Sequence, residues 1–129
     1  MGYRAARPPV TAALVLAGGM LGAPARYLVD RAVSARFPAG LPWGTLTVNI
    51  VGSALLGGLI GASAGSALLA FAATGFCGAL TTFSTFGYET VRLVTEGAYV
   101  YAVGNVVISV AASLAAVYAA ASLTQWLCA

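Results

Sequence analysis

WGTLTVNIVGSALLGGLIGASAGSALLAFAATGFCGALTTFSTFGY (residues 43–88) carries no charge and is apolar or small almost throughout. A helix that crosses a bilayer needs about 20 such residues, so this stretch holds two spans. Gly97 to Ala129 is uncharged as well and holds a third. Residues from about Val10 to Ala25 supply a fourth. The whole chain repeats the pattern. Of its 129 residues 60% are hydrophobic and 7% charged, and the mean hydropathy is +0.94. Soluble domains carry about 25% charge, and a small fold leaves too much surface exposed to hide this much apolar area. Lipid is the solvent that fits, with a single domain over residues 1–129 and no separate soluble part.

Helices are expected over about 10–35, 43–62, 67–96 and 98–123. Two prolines in Phe37–Pro42 stop the chain between the first pair, and Ala62–Ser66 is a tight turn. Trp43 and Trp126 suit interfacial anchors. Arg4 and Arg7 before an apolar run, then Ala23-Pro24-Ala25, also fit a secretory signal. Gly18, Gly19 and Gly22 inside that run fit a packed membrane helix better. Gly18 and Gly22, like Gly57 and Gly61, are spaced four apart and read as close-packing faces.

The third span is the unusual one. Gly75-Phe-Cys-Gly-Ala-Leu-Thr-Thr-Phe-Ser-Thr-Phe-Gly87 places glycines and hydroxyl residues mid-span, which weakens a helix. An unwound stretch is expected near Gly78–Thr82. Backbone freed at membrane depth is tolerated only where it is buried in protein or lines a cavity, and transporters use such groups to hold ions.

Polar residues fall into lines. Thr45, Asn49 and Ser53 are four apart on one face of the second helix, and Asn105, Ser109 and Ser113 on one face of the fourth. The third segment adds Thr81, Thr82, Ser84 and Thr85, with Phe83 and Phe86 three apart. All are neutral and most donate hydrogen bonds. Such groups often only bond helices together, at about 0.6 kcal/mol each. Three lines in one small chain also suit a path for an ion, with the mid-membrane asparagine the leading candidate. Donor-rich walls favour an anion, and positive ring edges of Phe83 and Phe86 add to that.

The other chemistries are excluded or disfavoured. The chain has no histidine and no lysine, and no paired intramembrane carboxylate or metal-ligand cluster, so enzyme chemistry is not expected. The net charge of +3 comes from arginines at helix ends rather than on one basic face, which argues against nucleic acid. Cys77 and Cys128 lie in apolar sequence and read as small buried residues. Arg4 and Arg7 on one side against Arg31, Arg36 and Arg92, with or without Arg26, on the other give a weak orientation bias. A chain with so little bias could insert both ways.

Gly-Ala-Pro-Ala-Arg-Tyr (22–27), Trp-Gly-Thr-Leu-Thr-Val-Asn-Ile-Val-Gly (43–52) and Gly-Phe-Cys-Gly-Ala-Leu-Thr-Thr-Phe-Ser-Thr-Phe (75–86), followed by Glu89, closely resemble the CrcB/Fluc fluoride channel family over nearly the whole chain. The resemblance implies an all-α, four-helix protein of the cytoplasmic membrane with its third helix broken mid-membrane. It implies an antiparallel, dual-topology homodimer that exports fluoride passively through two separate pores. It also implies a structural sodium ion at the dimer centre, held by backbone carbonyls of Gly78 and Thr81 from each subunit. Asn49 matches the pore asparagine, Phe83 and Phe86 the paired pore phenylalanines, and Thr45, Ser109 and Ser113 the polar track. Arg26 matches a vestibule arginine and Glu89 a carboxylate near a pore end. Some members carry tyrosine where this chain has Asn105. A multidrug-type antiporter would need a carboxylate within the first helix, and Asp30 lies near its end. A structural subunit without transport would show no flux alone.

Overall fold

The computed structural model describes residues 8–37 and 40–129. Arg4, Arg7 and part of the first loop, on which the orientation count and the Phe37–Pro42 loop rest, lie outside the described residues. The described chain is all helical, and four helices are long and apolar enough to cross a membrane: α1 Pro8–Arg36, α2 Trp43–Gly61, α3 Ser66–Thr95 and α4 Tyr99–Leu127. The protein is a multi-pass membrane protein.

The turns follow from local chemistry. At the end of α2, Ser63 takes a left-handed φ of 54° and the Ala64 N–H reaches back to the Leu59 carbonyl (3.1 Å). Gly97 does the same after α3 at φ 77°, with the Ala98 N–H on the Leu93 carbonyl (2.8 Å). Both closures satisfy carbonyls that a helix end leaves unpaired. α4 runs on through Trp126 to Leu127, past the expected end near 123. Residues 124–127 hold neither glycine nor proline to stop it sooner.

α3 is not one regular helix. Leu69–Cys77 is wound as a π-helix, in which the Gly78 N–H bonds the Ala73 carbonyl five residues back. A short α turn, Gly78–Leu80, follows. Helical winding lapses at residues 81–83, where Thr81 is extended (φ −78°, ψ 158°), and resumes over Ser84–Thr95. The lapse begins after Leu80 rather than at Gly78. Its physical cause is local: the Thr81 N–H and hydroxyl both donate to the Cys77 carbonyl (2.9 and 2.8 Å), which closes the turn before the chain extends.

α1 packs on α2 and on the π-wound part of α3, and α2 packs along α4. Gly18 and Gly22 are buried where α1 meets α3, so that a Cβ at either would overlap the carbonyl oxygens of Phe71 or Phe76. Gly57 and Gly61 serve the same purpose between α2 and α4, against Val117 and Ala121. Few large side chains are buried, and Leu16, Met20, Val100 and Leu114 face outward. That suits lipid, which is as apolar as leucine.

Candidate functional site: a neutral, donor-lined cavity at the helix-three break

A cavity of about 410 Å³ opens between α2, α3 and α4. Asn49 and Ser53 line it from α2, Ser109 and Ser113 from α4, and Gly78, Thr81, Thr82, Phe83 and Phe86 from α3. Every lining residue is neutral. The extended chain at 81–83 leaves peptide groups without helical partners, and Asn49 meets two of them. The Thr82 N–H donates to Asn49 Oδ1 (2.8 Å), and Asn49 Nδ2 donates to the Thr82 carbonyl (3.1 Å). The side-chain amide therefore replaces a backbone peptide across the break. In an uninterrupted helix that Thr82 N–H would serve the Gly78 carbonyl, four residues back.

Thr82 also starts the second arm of α3. Its hydroxyl accepts from the Thr85 N–H (3.2 Å) and lies 3.4 Å from the Ser84 hydroxyl, which caps a helix that would otherwise begin with orphan donors. Gly52 lets α2 come close here, since a Cβ would overlap the Thr81 methyl. The Phe83 and Phe86 rings lie 6.0 Å apart at 45°. Phe83 is 84% exposed and Gly78 is also exposed, so this side of the cavity has no covering among the described residues.

The polar lines part company in three dimensions. On α4, Ser109 lines the cavity while Asn105, 2% exposed, does not. Asn105 instead donates through Nδ2 to Thr90 Oγ1 (2.9 Å), and Ser109 donates to Asn105 Oδ1 (3.3 Å). On α2, Thr45 is 3% exposed and donates to Glu89 Oε1 (2.8 Å). Glu89 Oε2 is buried with no partner among the described residues. Glu89 borders a second cavity of about 330 Å³ with Asp30, Ser34 and Arg92. There the Ser34 hydroxyl donates to Asp30 (3.3 Å). The Arg92–Glu96 pair, 3.9 Å apart on the surface, contributes little. Ser84 is exposed and Thr85 half-buried, and neither lines the larger cavity. Arg26 is half-buried on α1, one turn past Gly22, and lines neither cavity.

Two arrangements had no sequence signal. Nothing in the sequence sets Thr90 apart from other polar residues near a helix end, and the pairing of Thr45 with Glu89 joins residues 44 apart.

Comparison with known proteins fits this geometry. The family model described as CrcB-like protein, Camphor Resistance (CrcB) matches residues 13–121. The chain belongs to the CrcB family. A CrcB relative from Nocardia farcinica, named fluoride-specific ion channel FluC 1, is 78% identical over 117 residues, covering 91% of this chain and 82% of its own. One of the same name from Streptomyces avermitilis is 52% identical, covering 87% and 94%. The similarity extends to the fluoride-specific ion channel FluC of Methanocaldococcus jannaschii, at 48% identity over 81% of this chain and 86% of the relative. The CrcB match spans all four helices, from within α1 to within α4.

Proposed function

We propose that this chain is a fluoride channel, working as an antiparallel homodimer with two pores and letting fluoride leave the cytoplasm passively across the cytoplasmic membrane. The observation that carries the reading is the neutral, donor-lined cavity beside Phe83 and Phe86 in a chain whose relatives bear the name fluoride-specific ion channel. The family transports ions, and the protein is not an enzyme.

The chemistry supports an anion. Moving a small ion out of water costs of order 20 kcal/mol in the idealised limit, so the wall must offer donors along the path. Ser109 and Ser113 bring hydroxyls, and Asn49 keeps one N–H beyond the one spent on Thr82. The positive edges of Phe83 and Phe86 suit an anion too. Thr45, Asn105, Ser84 and Thr85 take supporting places in the same reading. Arg26 would draw anions toward a mouth, and Glu89 would stand near a pore end. The cavity's lining includes no carboxylate to couple protons, which argues against the antiporter. The exposed Phe83 and Gly78 support a second copy as the cover, and the weak arginine bias supports its opposite insertion.

A structural sodium fits the residues at the break. With the Thr82 N–H diverted to Asn49, the Gly78 carbonyl has lost its helical donor. Carbonyl oxygens at Gly78 and Thr81, doubled in a dimer, would be suitable hard ligands. A cation held there would offset the cost of anions in a low-dielectric site.

Fluoride efflux from proteoliposomes, run against chloride, tests the reading. Fluoride flux well above that of empty liposomes, with chloride left behind, is expected. Folded dimer with no flux would sink it.

A further inference from the structure

Thr90 lies one helical turn beyond Phe86, outside the cavity wall, yet it controls a group that faces the cavity. Its hydroxyl has one proton and gives it to the Phe86 carbonyl (2.8 Å). Toward Asn105, 2.9 Å away, the same oxygen can therefore only accept. That settles which end of the Asn105 amide points at Thr90: the NH₂ does. The amide oxygen is then left for Ser109, whose hydroxyl donates to it at 3.3 Å. Asn105 is 2% exposed, so its amide depends on these two partners. The chain of bonds thus has a direction, running from Ser109 through Asn105 and Thr90 to the Phe86 carbonyl.

The direction matters because Ser109 lines the cavity. Its proton is committed to Asn105, so a passing anion must compete with an amide oxygen for it. A channel needs such competition: a site must bind well enough to admit an ion and weakly enough to release it. We infer that Thr90 is a positioning residue that fixes the Asn105 amide with its oxygen toward Ser109, and so keeps the anion's hold at Ser109 weak. This rests on the fluoride-channel reading above.

Thr90→Val keeps the shape and deletes the hydroxyl. The Asn105 NH₂ then has no acceptor at residue 90, so the amide is no longer held in one orientation, and in the reversed one it donates to Ser109. Ser109 accepts that bond and its own proton turns to the cavity. The anion is held more tightly and leaves more slowly.

Fluoride flux is measured against fluoride concentration in proteoliposomes. The half-saturating concentration is expected to fall at least about threefold, the factor for one interhelical hydrogen bond, and the maximal rate to fall with it. Thr90→Ser, which restores the hydroxyl, is expected to match the wild type. In a Ser109→Ala background, Thr90→Val is expected to have no further effect, because the group it acts through is gone. Thr90→Ala deletes the same hydroxyl with less bulk and is used if valine blocks assembly. An unchanged half-saturating concentration in the hydroxyl-deleted variant overturns the inference. So does a shift that persists in Ser109→Ala, or one that Thr90→Ser fails to restore. A wild type without flux counts instead against the fluoride reading itself.

Discussion

Asn49 and Thr82 form a two-way clamp: the Thr82 N–H donates to Asn49 Oδ1 at 2.8 Å, and Asn49 Nδ2 donates to the Thr82 carbonyl at 3.1 Å. One side chain on α2 thereby serves two of the backbone groups at the lapse in α3.

Asn49→Leu removes both bonds and leaves two backbone groups unpaired. Each unpaired group costs about 1–3 kcal/mol. A lower Tm in detergent and a fall in fluoride flux of tenfold or more are expected. Asn49→Asp retains the acceptor for the Thr82 N–H and should be less unstable than Asn49→Leu. Equal Tm values for the two variants would remove the clamp from the account.

Phe83→Ile and Phe86→Ile are expected to cripple conduction while leaving assembly intact. Phe83 is 84% exposed in the chain, so the loss of its ring removes little of the chain's own packing. Dimer by size-exclusion chromatography with lost efflux is the expected pair of results. Normal efflux in both variants would take the rings out of the pore.

Gly18→Val should prevent stable assembly. The new side chain would meet the Phe71 carbonyl and the Phe76 amide, which are backbone atoms and cannot swing away. The cost should reach or exceed the ~1–3 kcal/mol of ordinary overpacking. Gly65→Ala, where nothing lies within 4 Å, is the control and should be near neutral. Thermal stability in detergent compares the two, and similar values would contradict the α1–α3 approach.

Sodium removal should weaken the assembled channel. Exchange of sodium for a large organic cation, which carbonyls at Gly78 and Thr81 could not surround, is expected to lower dimer stability and flux. Unchanged stability and flux in sodium-free buffer would argue against the ion, as would a crystal structure of the dimer with no cation density between the two Gly78–Thr81 segments.

The legible part of the fold was that which depends on solvent and spacing. Uncharged runs of bilayer length marked four spans, and glycines four apart marked the faces where helices touch. The run of glycine, serine and threonine pointed to trouble in the third helix but placed its start at Gly78. Thr81 delays it, because its hydroxyl and amide hold the last turn on the Cys77 carbonyl. The π winding of Leu69–Cys77 left no mark in the sequence. Its residues are apolar or small, and both helix types bury them equally well.

The polar lines were legible as lines and misleading as a single path. Residues four apart climb about 6 Å and rotate about 40° along a helix. Over Thr45, Asn49 and Ser53 the neighbours therefore change. Thr45 meets Glu89, Asn49 meets the break, and Ser53 meets the cavity.

The sequence alone determined the solvent, the number of spans and the stock of neutral donors, because hydropathy and residue type act without regard to distant neighbours. Tertiary structure alone decided which donors are spent and which remain. The partners lie 15, 33 and 44 residues apart along the chain. A hydrogen bond forms only where packing brings donor and acceptor within about 3 Å. Asn49, the residue that first suggested an ion path, proved to be half committed to the backbone of Thr82 and half free to face the cavity.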